Sequence, residues 1–362
     1  IIFYLFKLLY NTDFSELKKI SKIQILLIIF SFLVSCVITG AFNTVPKSDW
    51  EKHYAIINTL QNYPWPVIRH DILEQSAFLR YSLGFYLVPA LFLKFLKIPA
   101  CYIFACMISF GLSLFLIWFQ KYIFEIDKQK KNSLLYAFFA FFLLLFFGGA
   151  DALGLKILQK RIYSPHYEWW MGWINYSANI TNLFWVPQHT LCAWLCVALL
   201  FQAKENNELL KYFMIIGISC AFWSPFCAIG LIPLVIATYF YTNKKQLKYI
   251  KEYIIQIIFI ALPLCIYLFS SSSKLPHGFN DILSIKGILS YILFIALEIA
   301  LYSIALILSK KDDFENLLFK ISLIALLLIP LYKMGALNDF AMRTSMPFLI
   351  IFSILCAKYF FF

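Results

Sequence analysis

Long apolar segments separated by short polar ones dominate this chain. About 20 apolar residues are needed to cross a bilayer, and the segments that approach this length are 22–42, 80–97, 99–119, 133–149, 184–203, 253–270, 286–309, 317–333 and 345–362. In the apolar stretch 209–242, Pro225 predicts either two short helices or one kinked helix. The pattern therefore predicts an all-α fold, a polytopic transmembrane bundle of about 10–12 helices.

The composition supports a membrane protein. Hydrophobic residues make up 62% of the chain and charged residues 14%, whereas soluble domains have about 45–50% and about 25%. We therefore treat 1–362 as a single integral membrane domain. The opening sequence IIFYLFKLLY is typical of the end of a membrane helix, so we expect the chain to be truncated at its N-terminus.

The polar segments are of two kinds. Lysine-rich segments are predicted to face the cytoplasm, namely 11–22, 120–132, 204–211, 243–252 and 310–320. The others are predicted to be external, namely 43–79 (the first external loop), 150–183 (the second large one), 271–285 and 334–344. One conflict arises, because two crossings between 80 and 119 would leave the lysine-rich segment 120–132 outside. The net charge of +12 is thus explained by orientation in the membrane, with no nucleic-acid partner.

The sequence PKSDWEKHYAII, residues 46–57, follows the first apolar segment directly. Ser48 and Glu51 have the spacing of a capping box at a helix start. An apolar stripe at helical spacing follows, made of Trp50, Tyr54, Ile57 and Leu60. The pattern predicts an amphipathic helix over 49–61 that lies on the outer membrane surface.

Asp49, Glu51 and His53 are the candidate catalytic residues in this helix. Asp49 is either a charge that complements the helix dipole or a functional carboxylate at headgroup depth, and we favour the second. Glu51 is either the capping residue or a second acid. His53 shares a helix face with Asp49, and is either a polar surface residue or part of the site.

Two further polar clusters are candidate binding sites. Gln188 and His189 open an apolar helix on the predicted outer side, either as ordinary polar residues at a helix end or as substrate ligands. The second cluster lies between two apolar segments and contains Lys333, Asn338, Asp339 and Arg343. Asp339 and Arg343 have the spacing of a simple ion pair. Alternatively, Arg343 and Lys333 clamp a phosphate, which suits the planar guanidinium.

Glu298 lies in the middle of an apolar segment, where a charged group usually faces the bundle interior or a cavity. Glu168 is expected to be part of a surface loop. Most of the nine cysteines lie in apolar segments, so we interpret them as small buried residues and predict no metal ligands. No phosphate-binding loop, serine-hydrolase motif or Cys-x-x-Cys motif occurs.

The layout of the chain resembles the GT-C superfamily of polytopic membrane glycosyltransferases. These enzymes carry an acidic residue in a long first external loop, directly after the first membrane helix, and SDWEKHYAIINTLQNYPWPV occupies that place here. The segments LRYSLGFYLVPALFLKFL, NLFWVPQHTLCAW and NDFAMRTSMP also resemble bacterial members. The likeness covers most of the chain in layout but few residues in motif, and the acids here are separated by Trp50.

The resemblance implies a reaction. The donor would be a polyprenyl-phosphate sugar and the acceptor a glycan, lipid or protein, at the external face of a bacterial inner membrane. Asp49 would be the general base or a ligand of a divalent cation, Mg²⁺ or Mn²⁺. Arg343, with Lys333, would hold the leaving phosphate, and His53, Gln188 and His189 would orient sugar or acceptor.

Three other functions remain open from the sequence. A transporter or flippase of a lipid-linked or small polar solute would suit broken helices and buried charges, although no internal repeat is visible. A polysaccharide polymerase or ligase would use the same chemistry as the transferase. A membrane scaffold would leave the outer polar clusters unexplained.

Overall fold

The part of the chain that the structure describes is an all-α helical bundle with two short two-stranded sheets. The computed structural model describes residues 21–42, 49–69, 77–79, 81–124, 134–158, 167–172, 174–242, 249–269, 276–280, 284–335 and 337–360. Ser48 of the predicted capping box and the N-terminal apolar segment lie outside these residues.

The first half of the described chain contains eight α-helices and one β-hairpin. In chain order they are α1 Lys22–Thr39, α2 Asp49–Asn62, β1 Ile68–Arg69, β2 Ala77–Phe78, α3 Gly84–Phe95, α4 Ala100–Phe124, α5 Leu134–Phe146, α6 Asp151–Ile157, α7 Asn179–Trp185 and α8 Pro187–Glu205. A short 3-10 helix, Tyr167–Trp169, lies between α6 and α7.

The second half contains two helices that are each continued through a π-helical turn. The elements are α9 Phe213–Trp223, α10 Pro225–Thr242, α11 Ile250–Gln256, α12 Leu262–Phe269, β3 His277–Phe279, α13 Ile285–Ile295, α14 Leu301–Leu308, α15 Asp313–Leu328, β4 Tyr332–Met334, α16 Asp339–Thr344 and α17 Met346–Tyr359. The π-helical turn Ile257–Ala261 joins α11 to α12, and Ala296–Ala300 joins α13 to α14.

The chain is an integral membrane protein. Among the described residues, six helices are long and apolar enough to cross a membrane, or up to seven if the bent pair α5–α6 forms one span. The number of spanning helices is lower than the ten to twelve predicted, because some of the predicted spans correspond to helices that are too short or too polar to cross a membrane. Large apolar side chains on the outer helices are exposed, for example Phe259 and Leu301, as expected of surfaces that face lipid.

The length of α3 removes the conflict in the early topology. This helix has 12 residues, about 18 Å at 1.5 Å per residue, which is well short of a hydrocarbon core of about 30 Å. With α3 not counted as a crossing, α1 and α4 are consecutive crossings. The chain before α1 and the chain after α4 then lie on the same side of the membrane, as the prediction for the two lysine-rich segments requires.

Contacts between loops agree with the two predicted sets. The strands β3 and β4 pair antiparallel, which joins the predicted external segments 271–285 and 334–344. Within the predicted cytoplasmic set, Lys204 forms an ion pair with Asp312, and the Tyr249 hydroxyl donates a hydrogen bond to Glu208.

The last helix, α17, is the centre of the bundle. Every residue from Met346 to Lys358 is buried, and the helix packs against α5, α8 and α15. Near its end, Lys358 forms a buried ion pair with Glu315 of α15, which also accepts hydrogen bonds from the hydroxyls of Tyr122 and Tyr359. The sequence predicted this helix but not its central position.

The amphipathic helix is confirmed as α2, but its predicted contact with the bilayer is wrong. Trp50, Ile57 and Leu60 are buried against the protein, and the indole N–H of Trp50 donates to the backbone carbonyl of Phe184, at 3.1 Å. Amphipathic spacing shows that one face is apolar, but it does not distinguish lipid from neighbouring helices as the partner.

Candidate functional site

A cavity of about 1160 Å³ lies where the predicted external loops meet. Its wall is formed by the start of α2, by 149–153, by 167–169, by the segment around α7, and by the start and end of α16. Asp49, Asp339 and Arg343 all line it. Residues far apart in the sequence therefore share one chamber, which is large enough for a small organic ligand.

Asp49 presents its carboxylate to this cavity from the first turn of α2. Its side chain is 39% exposed, and Lys52 Nζ lies 4.0 Å from Asp49 Oδ1. Lys52 also lines the cavity, although the sequence did not single it out. Glu51 lies on the same helix but is exposed and outside the cavity wall, so the structure does not place it in the site.

His53 is turned into the core, contrary to its expected position beside Asp49. The residue is fully buried, its Nδ1 lies 2.6 Å from the hydroxyl of Tyr86, and its ring stacks on the Tyr86 ring. Burial lowers the pKa of His53 to about 4, and the nearby positive charge of Lys52 acts in the same direction. His53 is therefore neutral at pH 7 and anchors α2 to α3.

Asp339 and Arg343 form an ion pair of 2.7 Å between Oδ1 and Nη2. This is the simpler of the two alternatives that the spacing left open, yet both side chains still line the cavity. Asn338 instead begins α16, since its side-chain oxygen accepts from the Ala341 N–H at 3.4 Å. Lys333 is exposed on β4 and outside the cavity wall, so its predicted pairing with Arg343 on one phosphate is not supported.

Gln188 and His189 are buried at the start of α8 and do not line the cavity. His189 Nδ1 lies 2.7 Å from the hydroxyl of Ser224, which occupies the break between α9 and α10. The carboxamide of Gln188 has no hydrogen-bond partner among the described residues. Direct contact with a ligand in the cavity is therefore not supported for these two residues. His189 instead contacts Ser224 at the helix break that Pro225 predicted.

Two acids of the cavity wall were missed or misread from the sequence. Asp151 is the first residue of α6, and Ala150 separates it from the glycine pair between this helix and α5. Glu168 accepts hydrogen bonds from the Ala178 N–H, at 3.0 Å, and from the Thr181 hydroxyl, at 2.7 Å. Burial raises the pKa of Glu168 above its ordinary value, although these hydrogen bonds oppose the shift. The signal for Asp151 was an acid two residues after a glycine pair at the end of an apolar segment.

The cavity combines opposite charges with aromatic surfaces. Four carboxyl groups line it, and Lys52 and Arg343 supply positive charge. Tyr167, Trp169 and Trp185 contribute rings with a polar group at one end. Carboxylates accept hydrogen bonds from hydroxyl groups, arginine binds phosphate, and aromatic rings cover apolar faces of a ligand. This chemistry suits a polyol that carries a phosphate.

Three cysteines form a separate cluster away from the cavity. The Sγ atoms of Cys192, Cys196 and Cys220 lie within 4.8 Å of one another, and those of Cys192 and Cys220 are 2.9 Å apart. The sequence predicted buried, apolar cysteines but not their convergence, because Cys220 comes from a different helix. By their ligand type, such thiols could hold a soft metal ion.

No protein-family model matches the chain, and neither a curated protein nor a solved structure matches it.

Proposed function

We propose that the protein is a membrane glycosyltransferase of GT-C type, which moves a sugar from a polyprenyl-phosphate donor to a glycan, lipid or protein acceptor. The observation that carries the proposal is that Asp49 and Arg343 line the same cavity. A base and a phosphate ligand in one chamber are what such a transfer needs. We place the reaction at the external face of a bacterial inner membrane.

In the proposed reaction, Asp49 takes the proton of the acceptor hydroxyl. The acceptor oxygen then bonds to the anomeric carbon of the sugar, while the bond between that carbon and the phosphate oxygen breaks. Arg343 stabilises the polyprenyl phosphate that leaves, because its charge grows as the bond breaks. We assign the second positive charge to Lys52, which lines the cavity, in place of Lys333.

A divalent cation is a candidate cofactor of this reaction. Mg²⁺ and Mn²⁺ prefer oxygen ligands, and carboxylates line the cavity. A cation bound by protein side chains alone needs at least three ligand atoms close together. Among the described residues, the group that meets this condition consists of cysteines and contains no carboxylate. The mechanism therefore contains no step through a metal.

The test is a sugar-transfer assay with the purified protein in vesicles that contain a polyprenyl-phosphate sugar. Replacing Asp49 by Asn should lower the transfer rate by about 10²- to 10⁴-fold, which is the usual contribution of a general base. Glu51→Gln is the matched control, because Glu51 is exposed on the same helix, and it should keep activity. A fully active Asp49→Asn protein would remove the proposed base.

A transporter or flippase of a lipid-linked or polar solute is a second candidate. It is favoured by the broken helix pair α5–α6 and by the buried Glu298, because broken helices and buried acids occur at transport sites. Movement of the lipid-linked sugar across vesicles without transfer to an acceptor would support this function. A polymerase or ligase would show transfer onto a growing glycan instead.

A further inference from the structure

Glu298 lies in the π-helical turn that joins α13 to α14, and 97% of its surface is buried. This region belongs to a span of 24 residues that is apolar enough to cross a membrane. A charge there is energetically expensive unless it is compensated, and π-helical turns are frequent at functional positions. The groups around Glu298 therefore determine whether this acid is protonated or ionised.

The break between α5 and α6 is built around Glu298. The Ala150 N–H donates to the backbone carbonyl of Leu297, at 3.0 Å, and the Tyr302 hydroxyl donates to the carbonyl of Gly148, at 2.8 Å. A Cβ atom added at Gly149 would lie only 2.0 Å from Glu298 Oε2. Glycine at this position thus permits the broken helix to approach the acid closely.

The hydrogen-bond donors around Glu298 do not satisfy it as a carboxylate. The indole N–H of Trp170 donates to Oε1, at 2.8 Å, whereas Oε2 has no donor among the described residues. The helix that begins at Asp151 packs against the π-helical turn of Glu298, so the carboxyl groups of the two acids interact, and Asp151 also interacts with Trp170 and with its own backbone N–H. Asp151 Oδ1 has no donor among the described residues. Ionised carboxylates can only accept hydrogen bonds, so two of them that face each other in a buried space need a proton or a cation between them.

The neighbouring charges do not supply that compensation. Among the described residues, no lysine, arginine or histidine forms an ion pair with Asp151 or Glu298. Among the described residues, Glu168, which carries the same sign of charge, and Tyr302, which carries no positive charge, also interact with both acids. Two buried acids that interact with each other and with a third acid cannot all be ionised at low cost.

We propose that Asp151 and Glu298 form a binding site for a single proton, which opens to the cavity through Asp151. The proton resides on Glu298, the more deeply buried acid, and is donated to Asp151, which carries the negative charge of the pair. Because Asp151 also lines the cavity, a ligand that contacts Asp151 changes the affinity for this proton. Ligand binding in the cavity is then linked to proton uptake or release. The site does not depend on the reaction proposed above.

The test is infrared difference spectroscopy of the purified full chain in lipid nanodiscs at pH 7. A protonated carboxyl has a carbonyl stretch that is separate from the carboxylate bands and shifts in heavy water. We expect this band in the unmodified protein and its loss in Glu298→Gln. Glutamine copies the protonated acid, because its oxygen accepts from Trp170 and its amide donates to Asp151, so the fold should be kept.

Asp151→Asn is the second variant and should also lose the band, since its amide would donate to an ionised Glu298. Glu51→Gln, at an exposed acid, is the control and should leave the band unchanged. The proposal is overturned if the unmodified protein lacks the band, or if the band persists in both single variants. It is also overturned if the band emerges only after chelation, because a cation would then occupy the site.

Discussion

Asp339 and Arg343 lie one helical turn apart on α16, and Asp339 Oδ1 is 2.7 Å from Arg343 Nη2 on the wall of the cavity. The pair is only partly buried, with 33% of the Asp339 side chain and 21% of the Arg343 side chain exposed. A guanidinium has five N–H donors, so one contact with Asp339 leaves others for a ligand. Asp339 thus orients the Arg343 side chain and leaves some of its N–H donors for a ligand.

The first prediction concerns Arg343 as a phosphate ligand. Arg343→Ala should weaken binding of the polyprenyl-phosphate donor by about 10- to 100-fold, the equivalent of one charge-assisted hydrogen bond. Binding can be measured by the change in tryptophan fluorescence, because Trp169 and Trp185 line the same cavity. Lys333→Ala is the control, since Lys333 is exposed outside the cavity, and it should bind normally. Unchanged affinity in Arg343→Ala would exclude the phosphate contact.

The second prediction concerns pH and His53. The folded protein keeps His53 neutral down to a pH of about 4, whereas an unfolded chain takes up the proton near pH 6.5. The unfolded state therefore gains protons between these values, and the free energy of unfolding should fall by up to about 1.4 kcal/mol per pH unit as pH decreases through this window.

Thermal unfolding in detergent between pH 4 and 8 measures this dependence. His53→Gln should reduce the slope below pH 6.5 and leave the behaviour above pH 7 unchanged. Tyr86→Phe removes the hydroxyl that contacts His53 and should lower stability by about 1 kcal/mol. An equal slope in the unmodified and His53→Gln proteins would contradict the neutral, buried state of His53.

The third prediction compares two glycines. Gly149→Ala should destabilise the protein by about 1–3 kcal/mol, because its Cβ would overlap Glu298 Oε2. Gly217→Ala is the matched control, since a Cβ there meets nothing within 4 Å and alanine favours the helix by up to about 1 kcal/mol. Melting temperatures of the two variants measure the difference. Equal melting temperatures would mean that Gly149 does not contact Glu298 closely.

The fourth prediction concerns the buried ion pair of Glu315 and Lys358. Only 1% of Glu315 and 7% of Lys358 is exposed. Lys358→Met alone leaves a buried carboxylate without its cation and should destabilise the protein by about 3–5 kcal/mol. The double variant with Glu315→Gln should recover part of this loss. If the single and double variants were equally stable, the pair would not be a coupled unit.

The helices could be predicted from the sequence to a large extent. Long apolar segments, the capping-box spacing before α2 and the helix break at Pro225 are each defined by residues that are close in sequence. A local sequence pattern is therefore enough to predict them. The short length of α3 and the π-helical turn at Glu298 could not be predicted in this way. Packing against other helices determines where a helix begins and ends and where it contains a π-helical turn.

The candidate site could be predicted only in part. Asp49 and Arg343, which line the cavity, could be selected as candidates because charge is rare in this apolar chain and each lies near the end of an apolar segment. Asp151 was missed and Glu168 was assigned to a surface loop, because each interacts with a residue that is not its sequence neighbour, Glu298 and Thr181 respectively. The position of Lys333, exposed on β4 and outside the cavity wall, could not be predicted either, because it depends on the pairing of β4 with the distant β3.

The most direct test of the central claim is an experimental structure of the full chain with a bound polyprenyl-phosphate sugar. We expect the phosphate within hydrogen-bond distance of Arg343, the sugar against the aromatic wall, and Asp49 facing the anomeric carbon. Phosphate density at another place in the molecule, with the cavity holding neither sugar nor phosphate, would contradict the account.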